Sequence, residues 1–196
     1  MPGIKRILWF IFALATSFSI TAQSGWCDAN ADPSSLRYYR RVVPGEPKPI
    51  ACDVLVYGGT PAGVTAAVEA SRMDKKAVLL SFNRHVGGLT SGGLTATDTG
   101  DQETIGGLAR EFYTRIGAIK DFRPSEAEAL FLDMLEEAGV TVLFERCLES
   151  VTVEEGRLVS ATMETGETFD AAVFIDATYE GDLMAAAGVS YRVGRE

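Results

Sequence analysis

Cysteine and histidine are scarce in this sequence, and their scarcity removes whole classes of chemistry. The three cysteines, Cys27, Cys52 and Cys147, are an odd number without C-x-x-C spacing. They build no disulfide framework and supply no structural zinc or iron–sulfur set. Cys52 and Cys147 flank expected strands and read as buried thiols. His85 is the only histidine, and one histidine does not make a metal site, so no metal is expected. Basic residues are also in the minority, 18 against 27 acidic ones. That balance argues against nucleic acid or an anionic membrane as the main partner.

What is present begins with an export signal. Lys5 and Arg6 precede an apolar run over residues 7–20, and Thr21, Ala22 and Ser24 offer small residues for cleavage. The run is shorter than the about 20 residues of a membrane-spanning helix. Residues 1–22 are therefore expected to be a signal peptide that sends the protein to the periplasm or the extracellular space, without stable membrane insertion after cleavage; an uncleaved anchor is the alternative. Cleavage removes two basic residues and no acids, leaving 16 against 27 and a net charge of −11. Residues 23–50 carry four prolines and read as a linker or extended arm. The folded domain is expected over residues 51–196.

Its organising stretch is residues 53–63, Asp-Val-Leu-Val-Tyr-Gly-Gly-Thr-Pro-Ala-Gly. Residues 54–57 form a short buried strand, which breaks into glycine before an alanine-rich helical run. Such a corner aims unpaired N–H groups and the positive end of a helix dipole at one point, where a phosphate can sit. Gly58, Thr60 and Gly63 occupy the three glycine places of the G-x-G-x-x-G fingerprint. Gly59, Pro61 and Ala62 complete the turn, and the Thr60 hydroxyl is a further donor to a phosphate. Valine at Gly58 is expected to abolish cofactor binding while leaving the domain folded. Residues 77–80 form a second apolar strand, completing strand, helix, strand. Where an acidic residue ordinarily meets the ribose, this sequence has Ser81, followed by Asn83 and Arg84. Arg84 keeps a 2′-phosphate, and hence NADP, among the readings.

The loop over residues 84–100 contains Gly87-Gly88 and Gly92-Gly93 among hydroxyl side chains, with Leu89 and Leu94 at the same five-residue interval. It reads as a loop wrapped on a ligand, with His85 either bonding to cofactor or substrate or held by backbone groups. A helix is expected over residues 105–119 with Leu108, Phe112 and Ile116 on one face. A second starts with Ser125 and Glu128 as a capping box, buries Leu130, Met134 and Leu135, and ends at Gly139. Glu126, Glu128, Asp133, Glu136 and Glu137 read as a first turn and a solvated face rather than as catalytic carboxylates. Residues 140–144, 148–153, 157–163 and 168–169 read as an antiparallel meander, and residues 172–175 as a strand of the parallel sheet.

Together, D-V-L-V-Y-G-G-T-P-A-G and R-H-V-G-G-L resemble the FAD-dependent oxidoreductases of the glutathione-reductase-like superfamily, close to exported and heterodisulfide-reductase-like FAD proteins. The resemblance implies an α/β Rossmann-like FAD-binding domain, a parallel sheet with helices and an inserted antiparallel β meander. It implies that residues 58–63 hold the FAD pyrophosphate, and that Gly87, Gly88, Leu89 and Thr90 lie along the pyrophosphate and ribityl chain. It sets backbone groups around Cys147 and Leu148 against the adenine. Residues 176–182 resemble the family's A-T-G stretch near the flavin, with Ala177, Thr178 and Asp182 as cofactor residues and Tyr179 in the glycine's place. The implied reaction is hydride transfer between a small-molecule substrate and flavin. No residue stands out as a catalytic acid or base. Because relatives continue into a substrate domain, the chain is expected to be an N-terminal fragment. The alternatives are an NAD(P)-dependent enzyme and a truncated nucleotide-binding module without activity.

Overall fold

The computed structural model describes residues 44–46, 48–94 and 100–194. The expected export segment, Cys27 and most of the expected linker lie outside the described residues. Six strands form one sheet in the order β3-β2-β1-β6-β5-β4. They are β1 (Lys48–Tyr57), β2 (Ala77–Leu80), β3 (Thr141–Leu143), β4 (Leu148–Glu154), β5 (Arg157–Met163) and β6 (Glu167–Asp176). β3, β2, β1 and β6 run parallel, while β5 and β4 continue from β6 antiparallel. Among the described residues, five α-helices accompany them: α1 (Pro61–Arg72), the four-residue α2 (Gly88–Ser91), α3 (Gly107–Ile116), α4 (Pro124–Glu137) and α5 (Asp182–Ala186).

The sheet departs from the sequence expectation in three respects. β1 begins at Lys48, inside the stretch expected as an arm, because residues 48–52 pair with β6 from Glu167 to Ala171. Residues 168–169 and 172–175 are one ten-residue strand, β6, that serves both the parallel and the antiparallel part. The strand at residues 141–143 pairs parallel with β2 and not with the meander. The meander is therefore β4, β5 and β6, an extension of the same sheet.

Alternation along β1 divides the core. Val54 and Val56 face α1 and α4 in a cluster with Val64, Val68, Phe131 and Met134, while Leu55 and Tyr57 face Met163, Phe169 and Leu183. Each fully buried aliphatic side chain on either face contributes about 1.5–3 kcal/mol. Phe112 of α3 stacks on Phe131 of α4 with ring centroids 4.4 Å apart, which fixes α3 against the helical layer. Of its expected face, Phe112 is buried, with Leu108 and Ile116 partly so.

α4 starts one residue before the expected box. Pro124, whose fixed φ suits a first helical position and which has no N–H to satisfy, takes that place; Glu126 then accepts from the Arg123 amide at 3.4 Å. Ser125 and Glu128 form no capping box, and Glu128 is free for another partner. The buried stripe is Ala127, Phe131, Met134 and Leu135, with Leu130 at its margin. The two described cysteines are half-buried rather than buried.

Candidate functional site

The carboxyl ends of β1, β2, β3 and β6 meet on one edge of the sheet, where loops of a parallel sheet ordinarily bind ligands. After Tyr57 the chain turns through Gly58 at φ +118° into α1. A Cβ at Gly58 would lie 2.6 Å from the backbone of Ala177, and one at Gly63 would lie 1.9 Å from the Gly58 carbonyl oxygen. Gly58 is demanded by the approach of the turn to the end of β6, and Gly63 by the approach of α1 to the Gly58 carbonyl. Valine at Gly58 would thus strike the fold itself, contrary to the expectation that the domain survives it.

Thr60 is the N-cap of α1 and is only 4% exposed. Its Oγ1 accepts from the Gly63 amide at 3.2 Å and donates to the Ala177 carbonyl at 2.7 Å. The hydroxyl proton is spent inside the protein, so Thr60 is not the phosphate donor its place suggested. Val64 N donates to Thr60 O, and Pro61 has no N–H. In the first turn this leaves the amide of the exposed Ala62 facing the helix end without an intrahelical partner.

The second glycine segment is joined to the first by the Gly87 amide, which donates to Gly59 O at 2.7 Å. Gly87 (φ +93°) and Gly88 (φ +50°) open α2. The Leu89 amide donates to the Tyr179 hydroxyl at 2.9 Å, and that hydroxyl lies 2.2 Å from where a Cβ at Gly88 would stand. Tyr179 therefore bridges from the end of β6 across Gly88, while remaining 55% exposed. The Thr90 amide closes on Gly87 O, and its side chain joins Pro61, Ala62, Leu108 and Phe112 around an apolar pocket of about 200 Å³.

Ser81 does not face the loop surface. It is 1% exposed, with Oγ between Asn83 Oδ1 at 2.9 Å and His85 O at 3.0 Å. Asn83 Oδ1 also accepts from the His85 amide at 3.0 Å. Arg84 is exposed, and its Nε pairs with Glu145 Oε1 at 2.8 Å. His85 Nδ1 lies 2.8 Å from Glu128 Oε1, which orients the ring while leaving it 71% exposed. Asn83, His85, Gly88, Ser91, Ser125 and Glu128 line a cavity of about 440 Å³ beside the loop.

At the β6 end, Ala177 N donates to Tyr57 O. Asp176 Oδ1 accepts from Thr178 N at 2.9 Å and from Thr178 Oγ1 at 2.8 Å, and Oδ2 accepts from Met184 N at 2.8 Å. Thr178 Oγ1 in turn accepts from the amides of Gly181 and Asp182. Ala177 and Thr178 thus build the turn, and Asp182 opens α5 with an exposed side chain. Leu148 N donates to the Tyr57 hydroxyl at 2.9 Å, so one of the backbone groups expected against an adenine has a protein partner. Burial pushes the neighbouring Cys147 thiol up, and Glu164 and Glu145 reinforce the shift.

The structure brings Gly58–Gly63, Gly87–Thr90 and Ala177–Thr178 together and turns Thr60 and Ser81 inward. Glu128 and Tyr179 are the site residues that local sequence reading missed. The Glu128 signal was hidden in a row of helical acids; Tyr179 announced itself only as a bulky residue in a glycine's place.

A family model described as FAD dependent oxidoreductase matches residues 53–196. The fold is similar to L-proline dehydrogenase from P. horikoshii (TM-score 0.57, 13% identity), covering 76% of this chain and 58% of that one. It is also similar to a geranylgeranyl bacteriochlorophyll reductase-like protein from Thermoplasma acidophilum (TM-score 0.50, 19% identity), covering 75% and 44%. The chain thus spans less than two thirds of the length of either structure.

Proposed function

The chain belongs to the FAD-dependent oxidoreductase family, and from that premise we propose that residues 53–196 hold FAD for hydride transfer with a small-molecule substrate. When bound, the flavin supplies the hydride chemistry; the protein supplies position and electrostatics. One observation carries the reading: two glycine segments and the end of β6 converge at the N-terminus of the 12-residue α1, hydrogen-bonded to one another through Gly87–Gly59 and Thr60–Ala177. The residues fit the cofactor. Ala62's amide and the α1 dipole favour the pyrophosphate, and the cavity along Asn83, His85, Gly88 and Ser91 is lined by groups that suit a sugar of the cofactor.

Export by residues 1–22 is part of the same proposal, supported by the charge and apolar pattern of that segment. The acidic balance favours a small-molecule partner over nucleic acid. The test is absorption of the purified chain after incubation with FAD and desalting. Retained flavin absorption is the expected result. A folded circular dichroism spectrum with no flavin retained, from the chain with and without residues 1–22, overturns it.

A further inference from the structure

This inference rests on the FAD reading. A parallel-sheet nucleotide fold ordinarily offers the ribose hydroxyls a carboxylate at the end of its second strand. Here that place is held by Ser81, whose hydroxyl is buried and engaged with Asn83 and His85. The hydrogen bonds that begin there lead outward. Asn83 Oδ1 accepts from both Ser81 Oγ and the His85 amide, and His85 Nδ1 lies 2.8 Å from Glu128 Oε1. A carboxylate therefore does stand at the end of this chain of bonds, delivered by α4.

We propose that Glu128, held by His85, is the carboxylate that receives the adenosine ribose hydroxyls of the cofactor, in the role vacated by Ser81. Its side chain is 23% exposed, enough to meet a ligand and dry enough for a charge-assisted bond to count. Among the described residues only Oε1 is engaged. A carboxylate has about four acceptor positions, so Oε2 keeps its capacity for a diol. His85 is a positioning residue: anchored through its own amide and carbonyl, it fixes the carboxylate on the wall of the cavity that it shares with Asn83, Gly88 and Ser91. The same negative charge disfavours an adenosine carrying a 2′-phosphate.

The experiment compares ADP with 2′,3′-dideoxy-ADP as competitors of FAD binding to the whole chain, wild type and Glu128→Gln. Wild type is expected to prefer ADP about tenfold, the worth of one hydrogen bond to a charged group. Glu128→Gln is expected to weaken ADP about tenfold and leave the dideoxy compound unchanged, because only the first carries the hydroxyls. Equal weakening of both would assign Glu128 a purely structural role and overturn the inference, as would no change in either while FAD still binds. A wild-type chain that retains neither FAD nor ADP would bring down the cofactor reading and this inference with it.

Discussion

The two glycine segments are built on opposite plans. In the first, residues 58–63, Gly58, Gly59 and Thr60 are buried, and an added Cβ at Gly58, Gly59 or Gly63 would lie within 2.6 Å of other atoms of the protein. In the second, residues 87–93, an added Cβ at Gly87 would lie 2.5 Å from the Phe131 ring and one at Gly88 2.2 Å from the Tyr179 hydroxyl, while one at Gly93 meets nothing within 4 Å; side-chain bonds from Ser91 to Val86 O, Tyr179 to Leu89 and His85 to Glu128 supplement its backbone turns. At Gly58 and Gly63 the obstructing atoms are backbone, whereas at Gly87 and Gly88 they are side chains, which a substitution can replace. Glycine content alone therefore does not distinguish a locked corner from an adjustable one; the atoms around each glycine do.

The largest expected effect lies in the locked segment. Gly63→Ala drives a Cβ to 1.9 Å from Gly58 O and should cost about 3 kcal/mol or more in urea unfolding. A mild loss would show that the turn gives. Next, Thr60→Val removes both the cap and the donor to Ala177 O; the expected loss is about 2 kcal/mol, with Thr60→Ser restoring most of it. In the open segment, Gly93→Ala has room but keeps φ near +108°, so about 1 kcal/mol of backbone strain is expected. Equal losses at Gly63 and Gly93 would erase the comparison.

Smallest is a pH effect at the rim. Burial raises the Cys147 thiol, so its thiolate fraction at pH 8 lies below that of a free cysteine. Iodoacetamide labelling, mapped by mass spectrometry, should be slower there than in the unfolded chain and should accelerate as pH rises past the ordinary thiol range. Labelling as fast as in the unfolded chain would mean that the rim opens.

Legibility follows the range of the interaction. The strand, turn and helix over residues 54–72 and the strand at 77–80 were readable because apolar runs, glycine and proline act on adjacent residues. The meander was misread because Asp170 interrupts the apolar pattern of β6, whereas the strand is held together by a neighbour, β1, more than 100 residues away. The pattern Ser125-x-x-Glu128 satisfied a capping rule, yet Pro124 sets the helix start and Glu128 answers to His85, 43 residues distant. For the same reason the site was legible as backbone and not as side chains. Thr60 and Ser81 sit where a ligand contact is ordinarily read, but their partners come from the fold.

The bond between Thr60 and Ala177 joins residues 117 positions apart, and this has a temporal consequence. Closing a loop of that length costs about 4 kcal/mol of chain entropy, so the contact belongs to the slow, non-local part of folding. On the ribosome, at about 5–20 residues per second, the glycine turn waits on the order of ten seconds for its partner. During that interval β1 has an unpaired edge where β6 will lie, a surface open to other chains. Stalled nascent chains ending before Ala177 should consequently be unable to retain FAD, and chains that extend well past it should gain that ability in one step.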